Sequence, residues 1–100
     1  MNDSIAIPKD RIEAFCRKWG VREFSFFGSV LGADFGPESD VDVLVELDPA
    51  RGNSVWDWMD MITELRAIFG RDVDLVEKDS IRNPFRRREI LSTYKVIYAG

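Results

Sequence analysis

The sequence predicts an α/β (α+β) fold, a small mixed β-sheet flanked by helices. Two observations carry that expectation. Apolar residues recur at helical spacing in some stretches and crowd into short runs rich in β-branched and aromatic side chains in others, and the two kinds alternate along the chain. Glycine, proline, asparagine and serine fall between them, where the chain must turn. Strands separated by helices belong to layered α/β architectures.

Pro8 to Trp19 reads as the first helix, with Ile12, Phe15, Cys16 and Trp19 on one face. Pro8 suits its first turn and Gly20 its C-terminal stop. Glu23 to Phe27 is a short aromatic-rich strand that runs into Gly28-Ser29. The stretch from Gly32 to Ser39 also holds Gly36 and Pro37 and reads as a loop. Val41 to Leu47 is the second strand, followed by a turn through Asp48-Pro49 and Arg51-Gly52-Asn53.

Ser54 is an N-cap for the next helix. Val55, Trp58, Met59, Ile62, Leu65 and Phe69 form its apolar stripe, and Gly70 ends it. Trp56 and Trp58 are two apart and cannot both face the core, so one is exposed or covers a partner. Asp72 to Glu77 is the third strand, Asn83-Pro84 opens a last helix to about Leu91, and Tyr94 to Tyr98 closes the fold as a fourth strand.

At 100 residues, positions 1–100 are expected to form a single domain with one modest core. Fourteen Lys and Arg against 18 Asp and Glu give a net charge of −4, which argues against duplex nucleic acid as the main partner. A nucleotide remains compatible, because metal can neutralise its triphosphate. The single cysteine, Cys16, allows no intrachain disulfide and suits a small core hydrophobe, and the expected location is cytoplasmic. No secretory signal pattern and no membrane-length apolar run is visible. The chain has no histidine, which removes the usual general base and the usual zinc ligand together. A metal here must be held by oxygen, which points to magnesium or manganese.

The informative segment is Phe27 to Glu46, FGSVLGADFGPESDVDVLVE. Asp40 and Asp42 lie two apart at the start of a strand, so both carboxylates share one face. A divalent cation would relieve their repulsion, and Val43-Leu44-Val45 anchors the strand that carries them. Gly28 lets a phosphate approach the backbone, and the Ser29 hydroxyl with nearby amides can bind anionic oxygens. Asp74 lies on the next strand, within reach of the pair at about 4.8 Å between strands, as third metal ligand and proton acceptor. Beside these stand plainer readings. The Asp40-Asp42 pair could be a solvated loop end, Asp74 a strand-edge carboxylate facing water, and Arg86-Arg87-Arg88 reads as a solvated helix face before a phosphate clamp.

Gly28-Ser29, an intervening loop, Asp40-Val41-Asp42 and then Val73-Asp74-Leu75-Val76 are arranged as in one known family. In these residues and in length the chain resembles the minimal nucleotidyltransferases of the DNA polymerase beta superfamily, many of them antitoxins paired with HEPN-domain toxins. The resemblance extends over almost the whole chain. It implies the nucleotidyltransferase fold and magnesium, in one or two ions, on Asp40, Asp42 and Asp74. It also implies ATP bound at Gly28 and Ser29, and a hetero-oligomeric HEPN toxin partner. Relatives of this kind transfer AMP from ATP to a toxin tyrosine and so silence its RNase activity. The family commonly carries an arginine where this chain has Gly32. Two rivals follow, a non-catalytic antitoxin that acts by binding the toxin, and a small-molecule nucleotidyltransferase of the aminoglycoside-modifying kind.

Overall fold

A computed structural model describes residues 8–28 and 40–100. In chain order these form α1 (Lys9–Trp19), β1 (Val21–Phe27), β2 (Val41–Leu47), α2 (Val55–Phe69), β3 (Val73–Glu77), α3 (Pro84–Thr93) and β4 (Lys95–Ala99). Single 3-10 turns lie at Pro49–Arg51 and Lys78–Ser80.

The helix ends follow local chemistry. Gly20 and Gly70 sit in the left-handed region, and their amides donate to the carbonyls of Cys16 and Arg66, which closes α1 and α2. At the start of α2, the Ser54 hydroxyl accepts from the Asp57 amide at 3.2 Å. The Asp57 carboxylate accepts in return from the Ser54 amide at 2.9 Å. Asn83 caps α3 by accepting from the amides of Phe85 and Arg86, at 2.9 and 3.2 Å, and Pro84 occupies the first helical position.

The four strands form one sheet in the order β3-β2-β1-β4. β1 pairs antiparallel with β2 and β4, and β2 pairs parallel with β3, so the sheet is mixed as the sequence predicts. The parallel pair needs a long crossover, which α2 supplies. β1 starts at Val21, two residues earlier than the aromatic run suggests, because Gly20 turns the chain straight into the sheet and Val21 pairs with Leu47. α3 runs on to Thr93, past the expected end at Leu91, since neither glycine nor proline stops it there.

Alternation sorts the strands by face. Phe24, Phe26, Val41, Val43, Val45 and Leu75 point toward α1 and α2 and pack with Ile12, Phe15, Met61 and Leu65. On the other face Phe27 and Leu44 meet Ile81 and Ile90, the latter from α3. β1 and β2 are thus covered on both faces, and apart from Ser25 their buried residues are apolar. Of the two tryptophans at the start of α2, Trp56 is 76% exposed and Trp58 packs against the core, as their spacing requires. Among the described residues no helix is long and apolar enough to cross a membrane.

Candidate active site

Because β1 runs antiparallel to β2 and β2 parallel to β3, the C-terminal end of β1 and the N-terminal ends of β2 and β3 lie at one end of the sheet. Register then fixes the neighbours there. Phe27 is the cross-strand partner of Asp42, and Asp42 is the partner of Asp74. In-register residues point to the same face, so the two carboxylates stand side by side on the α3 face, about 4.8 Å apart at the backbone. Asp42 is half-buried and Asp74 exposed.

These residues open into a cavity of about 290 Å³. Phe27, Gly28, Asp42 and Asp74 line it from the sheet; Arg86, Glu89, Ile90 and Thr93 line it from α3. Gly28 has a φ of +68°, the left-handed region that disfavours side chains. A Cβ there would run into the Asp42 carboxylate, 3.3 Å from its Cγ. Glycine therefore lets the end of β1 turn away from the sheet directly over Asp42.

The structure thus brings together Gly28, Asp42 and Asp74. Asp40 is exposed, stands immediately before β2 and does not line the cavity. Ser29 and Gly32 lie outside the described residues. Asp72 is committed elsewhere: its carboxylate pairs with Arg66 at 2.9 Å, and its carbonyl accepts from the Val41 amide at 3.0 Å. Arg51 lies at the opposite end of the sheet, donating to the Lys18 carbonyl at 2.6 Å. Sequence reasoning did not single out Glu89, Ile90 and Thr93. Their spacing with Arg86, at i, i+3, i+4 and i+7, marks one helix face. Which strand ends that face meets is decided by the path of the chain after β3.

A second acidic pair on the same sheet face provides a contrast. Glu23 and Glu46 are also cross-strand partners. Like charges placed opposite one another destabilise a sheet. There Lys78 reaches both carboxylates, at 3.5 and 3.9 Å, and lies 5.3 Å from the centre of the Tyr94 ring. Among the described residues no lysine lines the cavity at Asp42 and Asp74. Among the described residues no three acidic side chains stand close enough to hold a metal by themselves. Two opposed carboxylates nevertheless fit magnesium, which takes one or two protein carboxylates and fills its remaining positions with water and substrate phosphates.

A mixed sheet with a glycine turn and an in-register acidic pair at one end defines a class of protein, and comparison with known families agrees. The chain belongs to the nucleotidyltransferase domain family, whose model matches residues 9–97. The protein adenylyltransferase MntA of Thermococcus cleftensis is 35% identical over 66 residues, 66% of this chain and 65% of that protein. Methanocaldococcus jannaschii MJ1379, provisionally named for the same activity, is 36% identical over 73 residues, 73% of each chain. A solved toxin–antitoxin with AMP-PNP superposes with a TM-score of 0.74 at 19% identity, over 94% of this chain and 75% of that one. The antitoxin-type structure of a tri-AMPylated Shewanella oneidensis HEPN toxin with its MNT antitoxin gives 0.65 at 18%, covering 92% and 70%. A provisionally assigned minimal nucleotidyltransferase gives 0.70 at 25%, covering 87% and 86%. The expected fold is therefore the observed one, and the chain is a nucleotidyltransferase whose substrate is a nucleotide.

Proposed function

We propose that this nucleotidyltransferase is a protein adenylyltransferase antitoxin, one domain over residues 1–100, that transfers AMP from ATP to a tyrosine hydroxyl of a HEPN-domain RNase toxin. The observation that carries the reading is the Asp42–Asp74 pair, held in register beside Gly28 in an open cavity. The adenylyltransferase name of its relatives supplies the group transferred. The toxin acceptor rests on the AMPylated HEPN toxin found with an antitoxin of this fold.

In this reading Asp42 and Asp74 would hold magnesium, with Asp40 at the head of β2 as a further carboxylate beside the cavity, and Gly28 and Ser29 would receive the triphosphate. Bound magnesium supplies charge neutralisation to the phosphates and acidity to the attacking hydroxyl. Asp42, on a strand flanked by the core residues Val41 and Val43, fixes where the α-phosphate sits. Asp74, exposed at the cavity edge, accepts the proton of the tyrosine hydroxyl. The hydroxyl oxygen bonds to the α-phosphorus. The bond from that phosphorus to the bridging oxygen breaks, and pyrophosphate leaves with the electron pair. The open side of the cavity admits a side chain from another protein, and the substrate's own charge makes metal and positioning the main sources of rate.

Neutralisation of the toxin in growing cells tests this. Asp42→Asn keeps the size of the side chain and removes a ligand charge, and it should abolish rescue of growth while leaving complex formation intact. Full rescue by Asp42→Asn would instead identify a non-catalytic antitoxin.

A further inference from the structure

Resting on the nucleotidyltransferase reading, we propose that Arg86 binds the β- and γ-phosphates of the triphosphate and steadies the departing pyrophosphate. Arg86, Arg87 and Arg88 are adjacent, so the helix turns them about 100° apart and gives them different surroundings. Arg87 is half-buried and donates to the Lys78 carbonyl at 3.0 Å. Arg88 is exposed and does not line the cavity. Arg86 lines the cavity together with Asp42 and Asp74.

Its backbone is fixed at that place. The Arg86 amide donates to the Asn83 cap at 3.2 Å, Pro84 presets the first turn, and Ile90, one turn on, is buried beneath α3. The side chain therefore starts from an ordered turn, as a positioned contact requires. Among the described residues its guanidinium makes no ion pair, whereas Lys78 is taken up by Glu23 and Glu46. Of the described residues lining the cavity, Arg86 alone is basic.

A triphosphate entering beside two aspartates and Glu89 brings several negative charges into an already acidic place. Metal held at the aspartates would offset part of that charge. When the bond to the α-phosphorus breaks, the electron pair moves onto the pyrophosphate oxygen, and charge grows on the far side. A guanidinium is the side chain best shaped for two phosphate oxygens at once, and it stays charged at every working pH.

The phosphates beyond the first are the discriminating feature. Calorimetric titration of ATP and of AMP, each with magnesium chloride, into the full chain and its Arg86→Gln and Arg88→Gln variants tests the assignment. Both arginines are exposed, so both variants should keep the native far-ultraviolet dichroism. Arg86→Gln should weaken ATP binding by about tenfold or more, the value of a charge-assisted hydrogen bond, and leave AMP binding unchanged. Arg88→Gln should alter neither. Undiminished ATP binding by Arg86→Gln, equal loss for ATP and AMP, or equal loss from both variants would overturn the proposal. Failure of the unaltered chain to bind ATP would instead overturn the nucleotide reading beneath it.

Discussion

A methyl group at position 28 would have to occupy space held by the Asp42 carboxylate, on a backbone already turned to a φ of +68°. Gly28→Ala therefore strains the turn by about 1–2 kcal/mol and moves a carboxylate of the acidic pair. Its effect on transfer should exceed its effect on folding. A melting temperature lowered by several degrees should accompany a rate reduced by about a hundredfold, since small misplacements near the reacting atoms are costly. Thermal melts and initial rates on the same preparation check both. Cys16 makes a prediction of another kind. Burial, and to a lesser degree the negative charge of Glu13, push its thiol from 9.0 up to about 12. The unfolded chain ionises this thiol first as pH rises. Its contribution to stability is complete below pH 9 and is lost between 9 and about 12. Urea midpoints measured at pH 8 and 10.5 should fall further for the parent chain than for Cys16→Ala.

Among the elements, α2 shows how much of the fold can be read locally. Ser54 and Gly70 bracket the helix in the sequence, and both act as its caps in the structure. Ser54→Ala removes one half of the reciprocal pair with Asp57 and should cost about 1 kcal/mol, seen as a lower denaturation midpoint with an unchanged slope. β2 is legible for the same reason, a run of Val41 to Leu47 between breakers, and its bounds match. α3 is less so. Its start is written in Asn83-Pro84, but its arginines look like one basic patch along the chain, and only the helical turn separates Arg86 from Arg87. The cavity wall that α3 forms has no signal in composition.

For the molecule as a whole, the strand order is what sequence reading does not supply. Alternating elements point to a mixed sheet, yet β4 joins the far edge beside β1, and nothing in Lys95–Ala99 specifies that neighbour. The same long-range pairing creates the site: Asp42 and Asp74 are 32 positions apart by their numbers and meet only because β2 and β3 are parallel and in register. The motif therefore reveals the chemistry of the residues, while topology decides which of them touch. A net charge of −4, and a basic residue on α3 in the wall of the same cavity as the acidic pair, suit the proposed metal-bound nucleotide. The most direct test is the intact mass of a HEPN-domain toxin after incubation with this chain, ATP and magnesium, with Asp42→Asn as control. Whole AMP units gained with the parent chain and absent with the variant are the predicted result. An unchanged toxin mass, alongside a stable complex formed equally by both, would contradict it.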